Sequence, residues 1–362
     1  IYPIQGKGVV NGSSHKKLLA IGNLKQPVHA WGEIYTGISA KDYMDGTSNF
    51  YGVHSVTLYV DSVQVFNSTT DKVLPDENRM INGFTDYEEL TRTRRLIMRS
   101  YKLPGNRLRL LHTNENRGAV TINEERDYHF RYVLEDNFGN RRTYQFIVKG
   151  KRQDIPEFKP EANEMLYWNR TNVIQKPGME LVVPRYYVYE DVPLRTDMRG
   201  DSSHIAFDYI LDAGRTPIHS YCDLSIGLRH MPVADTTKYY IVQKAGKWRS
   251  SMGGKYASGW IKTRVRSLGT FSVDVDTIAP QITPIGQGGW RTSRNIRFRI
   301  KDMESGIGSY KVYIDGKFVL FGLKKGILVI QDQEKVKKGV SHKLEVTVTD
   351  QCGNMTRKEY KF

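Results

Sequence analysis

The nine histidines come first in a search for chemistry, because imidazole serves as acid, base and metal ligand near neutral pH. No two form a His-x-His pair, and none sits in a His-Glu-x-x-His helix motif. Two precede an aspartate by four residues, His204 before Asp208 and His219 before Asp223. On a strand such positions share a face, so each pair offers two ligands to zinc. A catalytic centre needs a third ligand and an open position. The sequence supplies no obvious third partner, although folding could bring His230 near His219. The simpler reading is polar pairs on a sheet surface. The expectation is no catalytic residue and no metal site, with His204, Asp208, His219 and Asp223 as weak metal candidates.

Other reactive patterns are missing. There is no Gly-x-Ser-x-Gly elbow, and Cys222 and Cys352 lie in no known catalytic context or metal-type spacing. Gly253-Gly254 and Gly288-Gly289 lack the spacing and Lys-Ser/Thr of a phosphate loop. The aspartates of Asp302-Met303-Glu304-Ser305-Gly306 and of Asp350-x-x-Gly353-Asn354 suggest calcium ligands or caps of tight turns. The turn reading is favoured, because Asp carboxylates readily accept nearby backbone N–H groups.

The formal charge of +15 raises an anionic partner. The densest basic stretch holds Arg92, Arg94, Arg95, Arg99 and Lys102, followed by Arg107 and Arg109. It reads as a helix, with Thr85 and Glu88 as capping box and Leu90, Ile97 and Tyr101 as apolar stripe. The simplest account docks that stripe and leaves the arginines in water; the alternative is contact with an anionic polymer. No DNA-binding motif accompanies the charge, so no nucleic-acid partner is expected. The five tryptophans and 22 tyrosines could supply a glycan platform or simply fill β cores.

These residues must be positioned by strands. Gly52-Val53-His54-Ser55-Val56-Thr57-Leu58-Tyr59-Val60-Asp61 returns as Gly306-Ile307-Gly308-Ser309-Tyr310-Lys311-Val312-Tyr313-Ile314-Asp315. Asp42 corresponds to Asp302, and Asp136-Asn137-Phe138-Gly139-Asn140 to Asp350-Gln351-Cys352-Gly353-Asn354. Counting between landmarks gives the first copy 6 extra residues after Asp42 and 40 more before Asp136. Apolar residues alternate through the matched segments: Val56, Leu58 and Val60 against Tyr310, Val312 and Ile314, and Phe130, Tyr132 and Leu134 against Leu344, Val346 and Val348. Each Asp-x-x-Gly-Asn then reads as a hairpin turn.

The predicted fold class is all-β: tandem immunoglobulin-like β-sandwiches with one short helix inserted in the first. The expected domains are 1–149, with a helical insertion at about 67–120; 150–276, a middle β-sandwich; and 277–362, which repeats the first. No apolar run approaches the roughly 18 residues of a membrane span. With no starting Met and no leader pattern, the chain is expected to begin inside a longer protein.

Several stretches in order carry a family resemblance: Trp31-Gly32-Glu33-Ile34 through Asp42-Tyr43-Met44-Asp45-Gly46, Tyr51-Gly52-Val53 through Asp61, Gly253-Gly254-Lys255-Tyr256 through Trp260, Asp276-Thr277-Ile278-Ala279-Pro280, Ser305-Gly306-Ile307 through Phe321, and Val348 through Asn354. Together they resemble the C-terminal extension of lysostaphin-type (LytM-like) zinc metallopeptidases of gram-negative gut anaerobes. The resemblance implies a non-catalytic accessory region that positions or regulates a cell-wall peptidase domain. It implies no cofactor in this chain, zinc in the absent catalytic domain, and that N-terminal peptidase domain and peptidoglycan or another envelope polymer as partners. It also implies a periplasmic or surface-exposed place in the cell envelope. The alternative is a surface adhesin or glycan-binding immunoglobulin-like array.

Overall fold

The computed structural model describes residues 1–20, 27–43, 46, 48–201 and 203–362. Among them the chain is all-β, in several sheets. Contacts divide it into two compact units. The first holds Ile1–Asn172, Val183–Arg195 and Ala213–Ser220; the second holds Val173–Val182, Thr196–Asp212 and Tyr221–Phe362.

The first unit is built on an eight-stranded sheet. Its strands lie in the order Tyr2–Val10, Val28–Tyr35, Arg141–Gly150, Asp127–Glu135, Ser55–Val60, Val63–Thr69 and Leu111–Thr113, and Val120–Ile122 also pairs with Val28–Tyr35. The alternation read from sequence sets the faces. Val56, Leu58 and Val60 point into the core with Tyr128, Phe130, Tyr132 and Leu134 of the neighbouring strand. The Asp136 turn joins Asp127–Glu135 to Arg141–Gly150 in unbroken antiparallel register. Gly139, at φ 84°, supplies the left-handed residue this turn requires.

The insertion departs from the expected single helix. A four-residue helix, α1 (Ile81–Phe84), precedes α2 (Tyr87–Thr93). Thr85 cannot open a capping box because it already closes α1, its N–H donating to Ile81 O. Asp86 caps α2 instead, accepting from Glu89 N at 3.1 Å. Helical periodicity fails after Thr93 because Arg94 turns left-handed at φ 66°. Thr93 also bonds back to Glu89 O and accepts from Arg95 N, ending the helix locally. Ile97 and Tyr101, assigned from sequence to the helical stripe, are buried beyond its end. Between them Met98–Arg99 pairs as a strand with Gly37–Ile38.

Two further sheets follow. One orders Glu164–Leu166, Val192–Arg199, Asp208–Asp212, Gly269–Val275, Tyr239–Ala245 and Trp248–Ser251; the other orders Asn172–Lys176, Met179–Val183, Cys222–Gly227, Trp260–Val265 and Lys255–Ala257. Cys222 and Cys352 are both buried and form no disulfide with each other.

The last module is a sandwich of two four-stranded antiparallel sheets. One holds Gln281–Ile285, Arg297–Lys301, Ile327–Ile330 and Phe321–Lys324, and the other Lys317–Phe318, Ile307–Ile314, Lys343–Asp350 and Met355–Lys361. Both faces feed one core around Trp290, which opens a third short helix, α3 (Trp290–Ser293), beyond the single helix expected. The repeat extends to atomic detail. Asp61 and Asp315 both end their strand left-handed, at φ 48° and 50°. The N–H of each donates across the sheet, to His129 O and Lys343 O, and each Oδ1 accepts in return from the N–H of that residue at 2.9 Å.

Candidate functional site

Among the described residues, the histidine–aspartate pairs read from sequence do not join a grouping of three or more ligand atoms. His204 Nδ1 lies 3.0 Å from Asp201 Oδ1, while Asp208 accepts from Lys244 Nζ at 2.6 Å. His219 belongs to the first unit and Asp223 to the second. His219 Nδ1 is 3.0 Å from the Tyr189 hydroxyl. Its basicity is lowered by burial and then by the charges of Arg107 and Arg79. His342 is likewise engaged, with Nδ1 at Asp315 and Nε2 at Lys337 O.

One acidic grouping stands out among the described residues: Asp276, Asp302 and Asp350 offer oxygens within 4.8 Å of one another. Oxygen ligands at such spacing suit a hard divalent cation. Each carboxylate, however, is also committed to backbone donors. Asp302 Oδ1 accepts from Glu304 N and Gly306 N, Asp350 Oδ1 from Cys352 N and Asn354 N, and Asp276 from Ile278 N and Ser305 N. Turn capping accounts for Asp302 and Asp350, while Asp276 combines a local cap at Ile278 with a long-range clasp on Ser305 N and Oγ.

The five basic residues expected to share one helix are dispersed. Only Arg92 lies within α2, where it pairs with Glu89 at 2.8 Å. Arg94 closes the helix. Arg99 lies over Tyr101 and keeps its Nε buried without a hydrogen-bond partner. Lys102 is half-buried, and burial lowers its basicity. Of the five, Arg95 alone lines a cavity in this unit.

That cavity has a volume of about 680 Å³, within the range of small-ligand sites. Its wall combines the end of Asp127–Glu135, the start of Arg141–Gly150, residues 36–43 and the segment after α2. Tyr132 is fixed on this wall by two 2.7 Å hydrogen bonds, to Thr36 Oγ1 and Ser100 Oγ. Burial pushes its hydroxyl up to about 12, so it stays protonated. Tyr144, Phe146, Ile38, Ala40 and Val53 supply apolar surface. Asp42 and Tyr43 of the wall pair as a strand with Phe50–Tyr51, placing Tyr43 opposite Phe50 with ring centroids 6.4 Å apart. Tyr43, Phe50 and Tyr51 are all exposed, and Lys41 Nζ sits 3.8 Å above the Phe50 ring.

The charges at the rim do not cancel. Arg141 pairs with Glu135 at 2.9 Å; Asp42 and Asp136, the latter accepting from Phe138 N, Asn140 N and Asn140 Nδ2, are the other carboxylates of the wall, against the cations Lys17, Lys41, Arg95 and Arg142. Lys17, Arg95 and Arg142 are exposed and have no carboxylate partner among the described residues. The result is a ring-lined recess with surplus positive charge. Sequence reading missed it because its wall joins loops remote in the chain. The exposed pairing of Tyr43 with Phe50 was the one local clue.

Comparison with known proteins adds a partial match. Residues 163–276 match the family described as Zu5-like domain. No curated protein matches the chain. Among solved structures, a Ca²⁺-stabilised adhesin by which an Antarctic bacterium binds ice aligns over 99% of this chain and 98% of its own, at 10% identity and TM-score 0.18. A 1.5-MDa bacterial ice-binding adhesin aligns over 86% of both chains at 9% identity and TM-score 0.15. SGBP-B of the Bacteroides ovatus mixed-linkage glucan utilization locus, in complex with a mixed-linkage heptasaccharide, aligns over 85% of this chain and 59% of its own, at 11% identity and TM-score 0.14. At these scores the likenesses carry no functional argument.

Proposed function

We propose that the chain is a surface-exposed binding array of the cell envelope that engages a polysaccharide through the cavity of its first unit. The carrying observation is the recess itself: sugar-sized, faced by aromatic rings and rimmed by unpaired cations. Rings of Tyr43 and Tyr144 offer flat apolar faces for the C–H faces of a sugar. Arg95 and Arg142 add guanidinium forks for hydroxyl or carboxylate oxygens. The tie to a cell-wall peptidase draws no support from the site or from the matched family.

The test is affinity electrophoresis and calorimetry of the full chain against a panel of neutral and acidic polysaccharides. Tyr43→Ala and Arg142→Ala should each weaken the bound member about tenfold, the equivalent of roughly 1.4 kcal/mol. Absence of binding to every polysaccharide at millimolar sugar, or variants that bind as the parent does, would sink the proposal.

A further inference from the structure

A second cluster lies where the insertion meets the segment Val183–Arg195 within the first unit. Tyr187 N donates to Pro184 O at 3.1 Å, closing a turn whose third residue is Tyr186. Tyr186 has φ 69°, in a turn position that ordinarily takes glycine and that bulky side chains rarely occupy. Its N–H is held by Trp168 O at 2.9 Å. The conformation presents its ring beside Trp168, with centroids 6.0 Å apart. The guanidinium carbon of Arg185 lies 4.4 Å and that of Arg107 4.6 Å from the Tyr186 centroid.

Arg107 comes from the insertion and is brought here by a close backbone contact. Gly105 N donates to Tyr189 O at 2.7 Å, and a β-carbon at Gly105 would stand 3.0 Å from two carbonyl oxygens. Two like charges on one ring repel, so packing alone gives no reason to gather them. Neither Arg107 nor Arg185 has a carboxylate partner among the described residues, and both are exposed. Stacking uses the face of a guanidinium and leaves its in-plane N–H donors for an anion. Nearby, Arg79 Nε is buried without a hydrogen-bond partner. The arrangement therefore joins a saccharide-type platform to uncompensated fork donors.

We propose that Arg107 and Arg185, gathered over Tyr186 beside Trp168, bind an acidic sugar residue, its ring against Trp168 and its carboxylate or sulfate on the guanidinium edges. The site uses none of the cavity residues, so failure of either proposal leaves the other standing.

The experiment titrates the full chain with polygalacturonate, dextran sulfate, neutral dextran and a single-stranded oligodeoxynucleotide at fixed salt. Two variants are run beside the parent: the double substitution Arg107→Ala/Arg185→Ala, and Tyr186→Asn. Asn tolerates the left-handed backbone and removes the ring. The double variant should weaken binding of the preferred acidic polysaccharide at least tenfold. Tyr186→Asn should weaken it at least fivefold. Carboxylate and sulfate arms identify which anion is preferred. The double variant alters only exposed side chains, so its melting temperature should stay near the parent's and its result stands if Tyr186→Asn fails to fold. Affinity for both acidic polymers within twofold of the parent in the double variant overturns the proposal. So does tighter binding of the oligodeoxynucleotide through the same arginines, or an equal loss of neutral dextran binding.

Discussion

The turn at Asp136 and the turn at Asp350 use the same atoms in the two copies of the repeat, yet their carboxyls shift in opposite directions. In both, one carboxylate oxygen accepts the N–H groups two and four residues on, and the other accepts the asparagine amide. Asp136 is only half-buried, and the Asn140 amide leads several hydrogen bonds in holding it below the ordinary value. Asp350 is buried, so desolvation raises it, and the charge of Asp276 adds to the rise. A motif therefore fixes backbone geometry, while its surroundings fix its charge. The strands teach the same lesson. Tyr132 and Val346 hold equivalent positions, but only Tyr132 carries a hydroxyl, and it binds Thr36 and Ser100. The first copy has turned a core position into an anchor for its insertion.

The sharpest way to break this comparison is Tyr132→Phe. It leaves the buried Thr36 and Ser100 hydroxyls without their partner, at a cost of about 1–3 kcal/mol. Urea unfolding should show that loss; a change under about 0.5 kcal/mol would mean the hydroxyl anchors nothing. Next comes Asp350→Ala, which strips acceptors from buried donors and should cost about 1–2 kcal/mol. Asp136→Ala should cost less, because water reaches the same donors there. Equal losses in thermal melts would erase the distinction between the turns.

The smallest effect is in pH. The raised Asp350 carboxyl contributes stability that is fully present below its unfolded value near 3.8 and is lost as pH rises through its folded value. The lowered Asp136 carboxyl does the reverse: its contribution is present above about that same unfolded value and disappears as pH falls through the folded one. Carboxyl NMR titration should order the two midpoints with Asp350 above Asp136. Coincident midpoints would contradict the opposed environments.

The scaffold was open to sequence reading because strand alternation and Asp-x-x-Gly-Asn turns are local signals. Val56, Leu58 and Val60 face the core as their spacing predicts. The helix was overextended because periodicity carries no information about the left-handed backbone at Arg94. The candidate sites were harder still. Tyr186 is placed by a turn that its residue type disfavours, and Arg107 reaches it through a contact between distant segments. The five arginines and lysines grouped along the chain were separated in space because the backbone reverses between them. Local charge density is thus a poor guide to a surface whose loops double back.

The first unit is discontinuous in sequence, since it recruits Val183–Arg195 and Ala213–Ser220 after the chain has entered the second. Gly83 sits against Tyr189 so closely that a β-carbon would meet the ring at 2.7 Å, and Tyr189 OH donates to Arg79 O at 2.8 Å. A chain emerging from its N-terminal end cannot complete this unit until residue 220 is available. Vectorial synthesis would therefore hold the insertion in waiting, with the surfaces at Gly83 and Gly105 uncovered, until the later segment arrives. Limited proteolysis of nascent chains should reveal that delay as protection gained only after the segment ending at Ser220 has emerged.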